Sequence, residues 1–296
     1  MAARNRQRVF LRIASTFMQN NFTFTTTNMN IKWFGTASIA VEAENEKLLF
    51  DPFIPLAGSE HRVFEKDYSG YDRIFLTHGH IDHLSSIPEI LKYTDAKVYC
   101  TKTPYHTLLK KGVRGENLVE INPGDSFGSN DFRITVYKGR HIRFDAKLVF
   151  STVFSSRMVQ HLRNIPYISK ENRICRENEE TVCYEIEAYG KSIFLMGSLG
   201  LDESTVYPES MDLLILPYQG SSKLPGKALA VTEKLRPHMI LLDHYDDTFP
   251  PISGHIDTRD FLNAIKTKSP DIKIVGKQSA WPVEIELREQ QEKRIP

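Results

Sequence analysis

The chain has 296 residues, 41% hydrophobic and 25% charged, which is enough apolar material for one large domain or two moderate ones. A formal net charge of +1 argues against a dedicated nucleic-acid binder, and no apolar run approaches the roughly 18 to 20 residues of a membrane span. Three cysteines, Cys100, Cys175 and Cys183, form no CxxC pair; this sparse, odd count suits a reducing, cytoplasmic setting better than a disulfide framework.

The first residues differ from the rest. Arg4, Arg6, Arg8, Arg12 and Lys32 are basic, and no acidic residue precedes Glu42. Residues 1–28 read either as a disordered leader ahead of a true start at Met29 or as an organellar targeting peptide, which is Arg-rich and acid-poor.

From Asn30 the pattern is regular. Strands are predicted at Ile31–Gly35, Ser38–Glu42 and Lys47–Phe50, the last running into Asp51-Pro52-Phe53. Short strands joined by tight turns suggest a meander. Ile74–Thr77 is the next apolar run. Helices are predicted over Ile87–Tyr93, with Leu84, Ile87, Ile90 and Leu91 on one face, and over Pro104–Lys111, stopped by Gly112. Lys97–Cys100 is the strand between them. Further strands fall at Leu118–Glu120, Phe132–Tyr137, Val182–Ala188, Ser192–Met196, Leu213–Leu216, Met239–Leu242 and Val283–Leu287, with helices at Gly226–Leu235 and Asp257–Lys266. Strands dominate and helices occur in both halves. That order predicts an α+β domain over residues 29–288, with two packed sheets and helices outside rather than a single parallel sheet. Residues 289–296 form a tail.

The stretch Arg140–Asn178 breaks the pattern. A long irregular insertion in a compact domain is usually functional or mobile, so it reads as a lid or a peripheral flap. Its cations, Arg140, Arg143, Lys147, Arg157 and Arg163, form either an anion-binding wall or a solvated basic face.

The densest chemistry lies at Thr77-His78-Gly79-His80-Ile81-Asp82-His83, directly after an apolar strand. Imidazole and carboxylate are common ligands of zinc and similar divalent ions. Grouping four such side chains at a strand end suggests a metal site, with hydrolysis by activated water as the chemistry.

These residues resemble the metallo-β-lactamase-fold hydrolases over roughly Asn30 to Leu287. His78, His80, Asp82 and His83 match the family's HxHxDH motif. Asp51 matches its first acidic motif, which supports the ligands from behind. His141 sits where the third-motif histidine is expected, with His161 as its rival, and His244 ends a late strand as the last metal-binding histidine does. The texture around Trp33-Phe34-Gly35 and Asp51-Pro52-Phe53 is most similar to the branch of UlaG-like lactonases and phospholipase D-like zinc hydrolases. The resemblance implies an αββα sandwich of two mixed sheets. It implies one ion on His78, His80 and His141 and another on Asp82, His83 and His244, with Asp82 orienting the attacking water.

Two positions depart from the family. Ser198, in Met196-Gly197-Ser198-Leu199-Gly200, stands where a bridging Asp is usual, and a hydroxyl is a poor zinc ligand. Two ions without a bridge, a single ion, or Asp202 swinging in are the three alternatives. Thr36 stands where many relatives carry a histidine.

The expected function is metal-dependent hydrolysis of a small ester, lactone or phosphodiester, with zinc (or Mn²⁺ or Fe²⁺) in one or two sites. The near-neutral charge favours a small anionic ester or lactone over a nucleic acid. An RNA or nucleotide phosphodiesterase and a non-catalytic metal-binding protein are the alternatives. Arg140, Tyr218 (with Gln219) and His255 are candidates to contact substrate. Oligomeric state is not encoded in any pattern found.

Overall fold

Side chains alternate along Asn28–Trp33 (β1): Met29, Ile31 and Trp33 are buried while Asn30 is exposed. This period of two lets one face of a strand be covered and the other stay wet. The computed structural model describes residues 28–142, 145, 155–275 and 282–288. The expected leader up to residue 27, the tail at 289–296, and residues 143–144 and 146–154 of the insertion lie outside the described residues.

β1 pairs antiparallel with β2 (Ile39–Glu42), and β2 pairs antiparallel with β3 (Lys47–Phe50), giving the expected meander. β4 (Arg73–Phe75), β5 (Lys97–Cys100) and β6 (Leu118–Glu120) then add in parallel. The second sheet starts with β7 (Ser126–Gly128), β8 (Arg133–Lys138), β9 (Val182–Ala188) and β10 (Lys191–Met196), all antiparallel. It continues in parallel through β11 (Leu213–Pro217), β12 (Met239–Asp243) and β13 (Lys273–Val275). The last strand, β14 (Val283–Arg288), returns to the first sheet and pairs with β1, so that Asn28 faces Arg288. The two sheets run β14-β1-β2-β3-β4-β5-β6 and β13-β12-β11-β10-β9-β8-β7.

Burying both faces of both sheets requires three apolar layers, and three are found. The middle layer joins the sheets through Trp33, Phe50, Phe75, Tyr184, Leu195 and Ile215. Within it the Phe75 ring stacks on Tyr99 with centroids 4.5 Å apart. The second layer covers the first sheet with three short helices, α1 (Ile81–Leu84), α2 (Ile87–Ile90) and α3 (Lys102–Lys110), through Ile81, Leu84, Ile87 and Leu108. The insertion carries α4 (Ser156–Gln160) and α5 (Ile165–Glu171). The third layer covers the second sheet with α6 (Leu224–Leu235) and α7 (Arg259–Lys268) through Ala228, Leu235, Phe261 and Ile265. The result is the αββα sandwich.

The helix expected over 87–93 is a single turn, Ile87–Ile90, because the chain then tightens to i→i−3 bonds, Lys92 N to Glu89 O at 3.2 Å and Tyr93 N to Ile90 O at 2.9 Å. β7 and β13 escape the sequence pattern. Each is a three-residue strand at a sheet edge, too short to display a period. No helix among the described residues is long and apolar enough to cross a membrane, and the three cysteines are buried and free.

Hydrogen bonds join the two sheets beside the histidine motif. Val182 N donates to Thr77 O at 2.9 Å, and the buried Tyr184 hydroxyl donates to Leu76 O at 2.6 Å. A Cβ on Gly197, just after β10, would lie 2.4 Å from Thr77 Cβ and 2.8 Å from Val182 O. Overpacking of this kind costs about 1–3 kcal/mol. We therefore expect Gly197→Ala to destabilise the fold by that amount, read as a lower urea midpoint with an unchanged slope of the transition.

Candidate metal centre

The parallel strands β3, β4 and β5 end at one edge of the first sheet, and β10, β11 and β12 end at the matching edge of the second. Ligand sites in sheets of this kind form beyond the carboxyl ends of strands. Asp51 follows β3, the histidine motif follows β4, Ser198 follows β10 and His244 follows β12. His141 lies three residues past β8, beyond the isolated bridge from Gly139 to Leu201.

These segments bring the six expected residues together in two groups of three, His78–His80–His141 and Asp82–His83–His244, with ligand-type atoms inside each group within 4.8 Å of one another. His78 Nε2 lies 3.2 Å from His80 Nδ1, and the His141 ring centroid lies 4.5 Å from that of His80. In the other group, Asp82 Oδ2 is 3.8 Å from His83 Nε2 and 3.9 Å from His244 Nε2. The groups adjoin, with the His78 and His83 ring centroids 3.9 Å apart. His161, the rival of His141, lies elsewhere, against Gly58.

Asp51 organises this cluster from behind. It is fully buried, and its carboxylate accepts Thr77 N at 2.8 Å and Thr77 Oγ1 at 2.6 Å, while Oδ2 lies 2.8 Å from His83 Nδ1. Thr77 Oγ1 also reaches His78 Nδ1 at 3.0 Å. A carboxylate behind an imidazole fixes its tautomer and raises its basicity. Nothing in the sequence singles out Thr77 beyond its place at the strand end, just before the motif. Asp243, which carries no sequence signal of its own either, lies behind His244, with Oδ2 3.4 Å from Nδ1. Thr36 acts through its backbone: its carbonyl accepts His244 N at 3.1 Å, and its own N–H donates to the buried Asp246 carboxylate at 3.0 Å. Thr36, Asp51 and His244 all adopt left-handed backbone, at φ 47°, 43° and 60°. Strained residues of this kind concentrate at functional sites.

The two groups differ electrostatically. Burial lowers the pKa of His78, with His83 and His80 adding to the effect. Burial also lowers His80, and it takes His141 down to about 4. These three imidazoles are neutral at pH 7, the form that coordinates a metal. At His244 burial pulls the pKa down, but the carboxylates of Asp243, Asp82 and Asp246 outweigh it and raise it to about 9. Burial also opposes ionisation of Asp82, yet His83, His244 and His80 overcome it and hold the carboxyl below its usual range. Three converging neutral imidazoles in one group, and a carboxylate with two imidazoles in the other, fit divalent ions of the zinc type.

Ser198 is buried beside the cluster, and its Oγ accepts Ile142 N at 3.0 Å, so its hydroxyl supports the backbone next to His141. Asp202 does not swing in. Its carboxylate is held by Ser204 and by Lys138 at 3.0 Å, partners that depress its pKa, and it lines a neighbouring cavity.

A cavity of about 250 Å³ opens over all six residues. Its remaining wall comes from Ile142, Leu199, Pro217, Gln219, Phe249 and Ile252, and from Ile168 and Asn172 of the insertion. The described part of the insertion therefore covers the site and is not a peripheral flap. It is pinned there by Arg157, which reaches Asp247 at 2.7 Å and Ser253 O at 3.0 Å, and by Asn164, which donates to Ala57 O at 2.9 Å and Pro250 O at 2.8 Å. Tyr218 departs from the sequence expectation. Side chains alternate past the end of β11, so Pro217 and Gln219 face the cavity while Tyr218 is buried against Phe261 on the opposite side. His255 is turned to the surface near Glu60 and does not line the cavity. Arg140 lines the neighbouring cavity of about 650 Å³, which shares His80, His141, Ile142 and Asn172 with the first. Arg143 and Lys147 lie outside the described residues.

A family model described as a beta-lactamase superfamily domain matches residues 46–274. The chain belongs to that superfamily. It is 27% identical over 247 residues to a UPF0173 metal-dependent hydrolase of Alkaliphilus metalliredigens, covering 82% of this chain and 96% of the relative. A UPF0173 metal-dependent hydrolase of Methanopyrus kandleri is 25% identical over 251 residues, covering 83% and 96%. Among solved structures, the metallo hydrolase Igni18 of Ignicoccus hospitalis superposes with a TM-score of 0.59 at 19% identity, covering 88% of this chain and 99% of its own. YhfI of Bacillus subtilis, a metallo-beta-lactamase fold protein, superposes with a TM-score of 0.57 at 13% identity over 88% and 99%. The chain is a metal-dependent hydrolase of the metallo-β-lactamase family.

Proton release on metal binding should differ between the two groups, because a ligand must be deprotonated. His78, His80 and His141 have no proton to lose at pH 7, whereas His244, at about 9, holds one. Calorimetric titration of metal-free protein in two buffers of different ionisation enthalpy should show the second group releasing about one proton more than the first. Asp51→Asn and Thr77→Val should each weaken metal binding by roughly 10- to 100-fold in competition with a chromophoric chelator.

Proposed function

We propose that His78, His80 and His141 hold one ion and Asp82, His83 and His244 a second, and that the site hydrolyses a small ester, lactone or phosphodiester. Zinc is the metal the donor set favours, with Mn²⁺ and Fe²⁺ as alternatives. The observation that carries this reading is the convergence of both groups on the floor of a single cavity. Ions bound there lower the pKa of water toward about 7 and polarise the scissile group.

The chain's own residues supply the rest. Asp82, ionised and close to both His83 and His244, is placed to accept a hydrogen bond from an attacking water and to fix its direction. Ile142, Leu199 and Phe249 exclude bulk solvent from the floor, which strengthens every charge interaction there. The phosphodiesterase reading, for RNA or nucleotides, requires the basic insertion to face the cluster. Arg157 is committed to Asp247, and neither it, Arg163 nor Arg140 lines the cavity, which supports the ester and lactone reading over it.

The test is metal analysis of the purified protein together with turnover of lactone, ester and phosphodiester substrates in added Zn²⁺ or Mn²⁺. His80→Ala and Asp82→Asn should lower metal content and cut kcat/KM on the order of 100-fold or more. Ser198→Asp should tighten binding of the second ion. Full activity in metal-free protein, or variants with unchanged metal content and turnover, would sink the proposal.

A further inference from the structure

The cavity over the cluster has a composition that bears on what fills it. Beside the six metal-type residues the cavity is lined by Ile81, Ile142, Ile168, Leu199, Phe249 and Ile252. The polar groups on the same wall are the neutral side chains of Asn172, Gln219 and Ser198. No Lys or Arg lines the cavity among the described residues. Of the nearby cations, Arg176 acts on His80 electrostatically but does not line the cavity, and two others are engaged elsewhere. Arg157 is clamped to Asp247 and the Ser253 carbonyl. Arg140 lies 3.8 Å from Glu203 and lines the neighbouring cavity together with Lys138, Glu177, Glu179 and Asp202. At about 250 Å³ the space falls below the roughly 300–1,000 Å³ of sites for drug-sized ligands.

We infer that this wall is the specificity surface of the site and that it selects a compact, uncharged apolar group: the substrate is a neutral short-chain acyl ester or a lactone with a short alkyl substituent, not the anionic compound that net charge alone suggests. The inference rests on the proposed hydrolase reading and narrows it. A carboxylate or phosphate on the non-reacting part of a substrate would be desolvated against isoleucine and phenylalanine with no cation among the described lining residues to meet it, which is costly. A methylene placed there is removed from water and gains about four-fold in affinity. Asn172 and Gln219 can pair with an ester or ring oxygen without requiring charge.

Binding of a hydroxamic acid series to the metal-loaded enzyme tests this without requiring turnover, because the chelating head is constant and only the tail changes. Calorimetry should show affinity rising about four-fold per methylene from acetohydroxamate to butyrohydroxamate. Succinic monohydroxamate, which has a carboxylate at the end of a similar tail, should bind at least about ten-fold more weakly than butyrohydroxamate. Ile252 is 39% exposed, so Ile252→Lys places its charge at the rim without burying it. That variant should weaken butyrohydroxamate and tighten succinic monohydroxamate, a reversal that loss of packing alone would not produce. A flat series, absence of binding, or tighter binding of the succinic compound in the unmodified enzyme would overturn the inference. Should the series behave as expected while no ester or lactone is turned over, the proposed ester and lactone hydrolysis fails and the apolar selectivity stands. Turnover with a preference for anionic tails would overturn the selectivity and leave the hydrolase reading standing.

Discussion

The carboxylate of Asp51 is the interaction on which the rest of the site depends. It is wholly buried at the end of β3 and engages Thr77 N, Thr77 Oγ1 and His83 Nδ1. A buried carboxylate is tolerable only when it is paired and hydrogen-bonded in this way. The geometry of the histidine motif is therefore set one strand away, at the end of β3. Because β3 and β4 are parallel neighbours, the acid and the motif emerge side by side. The sheet thus delivers candidate ligands and their support together, and the second sheet adds His141 and His244.

Burial then separates the two groups chemically. Around His78, His80 and His141 desolvation prevails, and the imidazoles stay neutral. Around His244 three carboxylates outweigh it. The usual bridging acid would have tied these environments to one another. With Ser198 in its place, hydrogen-bonded to Ile142 N, the asymmetry persists. Negative charge is concentrated on the His244 side, through Asp82, Asp243 and Asp246.

Much of this is legible in the sequence. The alternating strands, the apolar runs of β11 and β12, and the dense HxHxDH segment each carry a local signature, and the two-sheet order follows from strand content. What is not legible depends on orientation rather than on type. Tyr218 and Gln219 are adjacent in sequence, and only the pleat decides that Gln219 lines the cavity and Tyr218 does not. Thr77 looks like an ordinary strand end until Asp51 on the neighbouring strand is known, and Asp243 until the direction of the His244 ring is known. The insertion shows no period because its helices are short and are held by side chains reaching distant loops, as Arg157 reaches Asp247.

Gly79 sits in the middle of the metal motif, and a Cβ there would fall 2.0 Å from the carbonyl oxygen of Arg176, at the far end of the insertion. The backbone of the insertion occupies the space that any other residue at position 79 would need. The two segments are interlocked, although they are far apart in sequence. The insertion is consequently not a portable module. Exchanging it for the corresponding segment of another protein would reshape the bed on which His78 and His80 rest, so substrate selectivity and metal binding in this chain cannot be re-engineered independently by loop grafting.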